Sequence, residues 1–331
     1  MKYLVTTRLE ALERQSSNCQ VIMVDGTVPG FQPKPEDYHF DHHRPGGADI
    51  QIDEIMAGDI NPNGLIVTTM VDADACVAAA YIQLPSLSEE NLAKLRAIAY
   101  DCDHLSVPSD LERYSDFAAQ AVAAMKADSE SLLEELKLPK NRKEWSVEQR
   151  EKFTSLAFKK NTQALIDACL GKRKFPGECG EAAEYWKKVE QDTELLLNEN
   201  RVTFYKETLF IDYKGLQGRY IDPRCALKAY RWIYDNYGHE AQTPITLAQR
   251  EMFINNEFKG YSYTLGCIPL HPKVDSLDYT RAAFAALTKA EWAKNSGVDA
   301  WGGRKTVGGS GWNTPSQLLP EEVIDIVLRC V

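Results

Sequence analysis

The stretch Gly64–Ala80, GLIVTTMVDADACVAAA, reads as a strand, an acidic turn and an Ala-rich helix in immediate succession. Its apolar part is continuous and rich in β-branched residues, which suits a strand covered on both faces in a parallel sheet. Asp72 and Asp74 fall where that strand ends, and a helix over 73–81 follows at once. Gln20–Val24, QVIMV, is a second run of the same kind, closed by Asp25. Ser86–Ala99 opens with a Ser86–Glu89 capping-box pattern and carries Leu92, Leu95 and Ile98 on one side, which predicts a second helix. Strand, turn and helix in alternation predict an α/β layered domain over residues 1–108.

Further along, the pattern changes twice. Residues 109–200 read as helices throughout, with capping-box patterns at Ser109–Glu112 and Ser146–Gln149 and a stop at Gly171. They are expected to form a connector or cap. From Arg201 the pattern becomes β, RVTFYKETLFIDY, then a helix opens at Asp222-Pro223 and closes at Gly238. Tyr261–Ile268 reads as a strand, Tyr279–Asn295 as a helix, and the tail as a glycine-rich segment followed by a closing helix. Residues 201–331 are therefore expected to form a smaller α/β or α+β domain.

The chain of 331 residues is 44% hydrophobic and 26% charged, which excludes wholesale disorder and fibrous classes. Its eight cysteines include no CxxC pair, which argues against a zinc ribbon or disulfide framework and for reduced thiols. No apolar run approaches the ~20 residues that span a bilayer, and no signal-peptide core is present, so cytoplasm and no membrane association are expected. The charge is uneven. Residues 1–110 hold 17 Asp and Glu against 7 Lys and Arg, whereas the remainder holds 31 of each. A carboxylate cluster organised around cations would account for this excess, as would a solvated acidic face.

Four of the six histidines, at 39, 42, 43 and 104, lie in the same region. Acidic residues accompany them: Asp25; Asp41 beside His42 and His43 in YHFDHHRPGG; Asp72 and Asp74; and Asp101, Asp103 and His104 in AIAYDCDHL. In open α/β sheets ligands bind beyond the carboxyl ends of the strands, so one sheet edge is able to collect these groups. Mixed Asp and His donors suit manganese, magnesium or iron.

FDHHRPGG resembles the signature of the DHH phosphoesterase superfamily, VDADA its strand-end acidic motif, IMVD its single bridging-Asp strand, and AIAYDCD its fourth acidic motif. WGGRKTVGGSG followed by LLPEEVIDIVLR resembles the glycine-rich loop and closing helix of the DHH-associated C-terminal domain. The motif order is permuted, since Asp25 and the DHH stretch precede VDADA. The family's usual histidine, four residues before the first Asp of that motif, is replaced by Thr68.

The resemblance implies a site holding two divalent ions, Mn2+ or Mg2+. Asp25 would bridge, Asp72 and Asp74 would hold the ions, and His42 would ligate. Asp101 would complete one ion, with Asp103 its alternative, and His104 or His39 would replace the missing histidine. Asp41 would orient a histidine and His43 would act on the scissile phosphate. Arg44, and the loop residues Arg304, Lys305, Gly308, Gly309 and Gly311, would bind substrate, with Trp301 and Trp312 flanking them. The activity implied is metal-dependent hydrolysis of a phosphodiester or phosphoanhydride in a nucleotide, short single-stranded oligonucleotide or polyphosphate, and a homodimer is the oligomer considered. The alternative is a DHH-fold protein that has lost hydrolysis and binds a nucleotide or a protein.

Overall fold

A computed structural model describes residues 1–43, 47–56, 58, 60–139, 144–216, 221–254, 257–269, 271–311 and 314–331. It divides the chain into two compact units, Met1–Trp186 and Lys187–Val331.

The first unit is built on four strands: β1 (Lys2–Val5), β2 (Val21–Val24), β3 (Tyr38–Phe40) and β4 (Leu65–Thr68). They lie in the order β1-β4-β2-β3, every pair parallel. The continuous apolar runs behave as their composition dictates, since all four residues of β2 and of β4 are buried. Alternate residues serve opposite faces. Ile22, Val24 and Ile66 pack against Val77 of α2 (Ala73–Gln83), Leu95 and Ile98 of α3 (Glu89–His104), and Phe158 and Leu165 of α5 (Val147–Cys169). Val21, Met23, Leu65 and Val67 pack with Leu12 of α1 (Leu9–Ser16) on the other face. Full burial of each such side chain contributes about 1.5–3 kcal/mol.

Residues 109–186, expected as a connector or cap, are built into this unit. Val122 and Met125 of α4 (Ser115–Glu135) join Phe158 and Leu165 in the core under the sheet. The Ser146–Gln149 capping box at the start of α5 forms as expected, with both reciprocal hydrogen bonds present. The cap of α3 differs from expectation. Ser88, not Ser86, accepts the Asn91 N–H, and the helix then runs to His104. Asp101, Asp103 and His104 thus occupy the last turn of a helix rather than a strand end.

The second unit opens on α6 (Ala183–Asn198), which begins in the first. Its six strands are β5 (Val202–Tyr205), β6 (Thr208–Asp212), β7 (Ile245–Ile254), β8 (Glu257–Cys267), β9 (Gly302–Gly303) and β10 (Gly308–Gly309). Their order is β5-β6-β7-β8-β10-β9, and among the described residues β6 and β7 pair parallel and the other neighbours antiparallel. Helices α7 (Pro223–Tyr237), α8 (Ala283–Lys294) and α9 (Pro320–Leu328) complete it, with Leu247, Leu265, Leu287 and Val323 in the core. The Asp222 cap and the Gly238 stop of α7 form as the sequence predicts. Among the described residues, no helix of either unit is long and apolar enough to cross a membrane.

Candidate metal centre

Parallel order in the first sheet puts the carboxyl ends of β4, β2 and β3 side by side, and the acidic motifs follow those ends. β2 leaves the sheet at Asp25, which takes a left-handed φ of 49°. Gly26 follows at φ 121°, and a Cβ there would collide with the Thr69 hydroxyl. Asp tolerates the left-handed region better than most residues, and strained backbone of this kind accompanies functional sites. β3 runs into Asp41, His42 and His43. β4 leads to Asp72, which caps α2 by accepting the Ala75 N–H at 2.9 Å, and to Asp74 in the first helical turn.

These groups converge. Three sets have ligand atoms within 4.8 Å of one another: Asp25 with His42 and His43; His42 with Asp74 and Asp103; and Asp72 with Cys102 and Asp103. His42 and Asp103 are therefore each shared between two sets. His42 Nε2 lies 3.1 Å from Asp25 Oδ1, 3.6 Å from Asp74 Oδ2 and 3.9 Å from Asp103 Oδ2.

Two features of the cluster fit a divalent cation. His42 Nδ1 lies 3.2 Å from the Ala48 carbonyl oxygen, which only accepts, so Nδ1 carries the proton. With Nδ1 donating there, Nε2 faces the Asp25 and Asp74 carboxylates, the placement of a metal ligand held by a backbone carbonyl. Asp74 is completely buried, and its Oδ1 has no hydrogen-bond partner among the described residues. Burial, with the charges of Asp103 and Asp25, pushes the Asp74 carboxyl well above the usual carboxylate range. Burial, Asp25 and Asp103 do the same to Asp72. A bound cation would reverse this bias toward the protonated acids.

Burial also tends to raise the Asp41 carboxyl, but bonds from the His43 ring, the Thr27 hydroxyl and the His43 backbone N–H outweigh it and hold Asp41 far below the ordinary range. Asp41 Oδ1 is 3.1 Å from His43 Nδ1, a contact that fixes the orientation of that ring.

Several expectations are corrected. Asp103, not Asp101, enters the cluster, because residues two apart on a helix lie about 200° apart around its axis and cannot both face the same point. His104 belongs to none of the three sets, and its Nε2 lies 3.0 Å from the Asp49 carbonyl oxygen. His39 is likewise outside the sets, its Nε2 on the Thr27 hydroxyl at 2.7 Å. Neither replaces the missing histidine. Thr68 donates its hydroxyl to the carbonyls of Asp25 and Met70, so it fastens the ends of β2 and β4 together.

In the second unit Gly308 and Gly309 form β10, paired with β8 on one side and β9 on the other. A Cβ at Gly308 would strike the Phe284 ring, at Gly309 the Tyr263 carbonyl oxygen, and at Gly311 the Asp299 side chain. These glycines are explained by close packing within the protein, not by an open anion cradle. Arg304 and Lys305 sit in the turn between β9 and β10, where Arg304 N–H bonds the Val307 carbonyl and Lys305 Nζ the Asp275 carbonyl. Trp301 is a core residue stacked on Tyr263 at 5.8 Å. Arg44 and Trp312 lie outside the described residues.

Two residues of the cluster had no part in the sequence reading. Gln51 is fully buried in a short 3₁₀ turn, Gln51–Glu54. Its Oε1 accepts the Asp25 N–H at 2.9 Å and the His42 N–H at 3.3 Å, while its own N–H donates to Asp74 Oδ2 at 2.9 Å. One residue thus ties three of the cluster's residues together. Its signal was a lone polar residue inside the apolar alternation IQI. Cys102, between two acidic residues in YDCDH, is the other, and burial pushes its thiol well above the usual value.

Fold and site together define an α/β protein with an acidic-histidine cluster at the carboxyl edge of a parallel sheet. No family model matches the chain, and no curated protein matches it. Among solved structures, a pGpG-specific phosphodiesterase, PggH of Vibrio cholerae, is 13% identical at a TM-score of 0.38, covering 90% of this chain and 81% of that one. An uncharacterized protein of Helicobacter pylori G27 is 11% identical at a TM-score of 0.20, covering 97% and 86%. Likenesses this weak carry no argument about activity.

Proposed function

We propose that this protein is a metal-dependent phosphoesterase of the DHH type, acting on a phosphodiester or phosphoanhydride. The observation that carries the reading is the convergence of Asp25, His42, His43, Asp72, Asp74 and Asp103 on one sheet edge, with a buried, unpartnered carboxylate oxygen among them. These residues would hold divalent ions, manganese in the first instance, and the ions would supply charge neutralisation and an activated water for in-line attack on phosphorus. Asp25, His42, Asp74, Asp72 and Asp103 are the proposed ligands. Gln51 fixes the backbone of Asp25 and His42. Asp41 accepts the His43 Nδ1 proton, and a second proton on Nε2 of that exposed ring would let it donate to the scissile phosphate or protonate its leaving oxygen.

A second reading is a protein of the same fold that binds a nucleotide without hydrolysing it. The commitment of the Thr68 hydroxyl to two backbone carbonyls favours it, since the family's histidine then has no substitute at that position. A screen of aryl phosphodiester, pyrophosphate and short oligonucleotides with added manganese separates the two. Turnover abolished by chelator supports the enzyme; nucleotide binding without turnover supports the second reading.

A further inference from the structure

We propose that Cys102 is a ligand of the set it shares with Asp72 and Asp103, and that its thiolate makes this position prefer a thiophilic divalent ion, zinc or cobalt(II), over magnesium. The proposal rests on the metal reading above and assigns its second position. The Cys102 sulfur lies within 4.8 Å of a ligand oxygen of each of Asp72 and Asp103, the reach of donors around one cation. Asp103 also belongs to the set of His42 and Asp74, so one carboxylate joins the sulfur's set to the rest of the cluster. Asp72 is held in place by its bond to the Ala75 N–H, made with Oδ1. Cys102 and Asp103 sit on the final turn of α3, so the helix end fixes both.

Cys76 makes the contrast. It is fully buried and its thiol lies 4.0 Å from the Phe158 carbonyl oxygen, and it is in none of the sets. Thiolates select zinc, cobalt and iron, whereas magnesium demands hard oxygen donors. Ligation releases one proton from the thiol to solvent for each ion bound.

Cobalt(II) titration of the chelator-treated full chain, without oxygen, tests this. In the wild-type protein visible ligand-field bands and a near-ultraviolet sulfur-to-cobalt charge-transfer band are expected together. Cys102→Ser should keep the former and lose the latter, while Cys76→Ala keeps both. Zinc should bleach the charge-transfer band and excess magnesium should not. A charge-transfer band unchanged in Cys102→Ser, or ligand-field bands without it in the wild type, would overturn the proposal and leave the metal centre standing. No ligand-field bands in the wild type would overturn both. If Cys102→Ser does not fold, alkylation of the wild-type protein decides. Under conditions that label Cys102 in the metal-free protein, cobalt should protect it from iodoacetamide, and equal labelling with and without cobalt would refute ligation.

Discussion

Asp74→Asn should make the protein more stable without metal and less stable with it. Asp74 is completely buried, one of its oxygens has no partner, and the carboxyls of Asp103, Asp25 and Asp72 surround it. Asparagine keeps the shape. Its oxygen still accepts the Gln51 N–H now held at 2.9 Å, and its amide N–H groups meet acidic neighbours as donors. An unsatisfied buried polar group costs about 1–3 kcal/mol, so relieving it should stabilise the metal-free protein by about that much. For a unit of the size of Met1–Trp186 the melting temperature should rise by roughly 2–4 °C per kcal/mol. Manganese should reverse the order. At a hundredfold excess over its dissociation constant a ligand adds about 2.7 kcal/mol to the wild type. The variant, lacking an anionic ligand, should gain less. Scanning calorimetry in chelator and in manganese reads both arms. A variant less stable than wild type in chelator, or one with the full manganese shift, would refute the reasoning.

Gln51→Ala should remove the side-chain acceptor that the Asp25 N–H shares with the Phe40 carbonyl and that the His42 N–H also uses, and weaken manganese binding by about 10–100-fold, as loss of outer support around a metal does, read by manganese titration. His104→Ala should leave the same titration unchanged, because its ring is on the Asp49 carbonyl. In chelator, stability should fall as pH rises through and above the ordinary carboxylate range. Asp72 and Asp74 have folded values raised above their unfolded ones, so the folded protein binds more protons. Denaturant midpoints across pH check this, and the slope should be shallower in Asp74→Asn. Ile22→Ala, in the middle of a fully buried strand, should cost about 2–5 kcal/mol by chemical denaturation.

The strands that carry the site were legible where they were apolar throughout. β2 and β4 declare themselves as VIMV and LIVT, and the acidic residues after them mark the edge that ligands use. β1 is hidden in a charged terminus, and β3 has three residues, too few for a pattern. The choice between Asp101 and Asp103 turned on where α3 ends. That helix closes on Leu105 at φ 55°, a left-handed position where a glycine would have been the signal. Gln51 acts through its side-chain oxygen and its backbone N–H, roles with no spacing rule. The glycines at 308, 309 and 311 have the composition of an anion-binding loop. Only the positions of Phe284, Tyr263 and Asp299 reveal that packing requires them.

On the proposed function, the Asp and His cluster holds the ions for hydrolysis. Metal content of the full chain, dialysed against manganese and then buffer, tests it most directly when measured beside Asp74→Asn and His104→Ala. About two ions per chain are expected in the wild type, as two-ion hydrolysis needs. The same number is expected in His104→Ala and fewer in Asp74→Asn. Wild-type protein without metal, or equal metal content in Asp74→Asn, would contradict it.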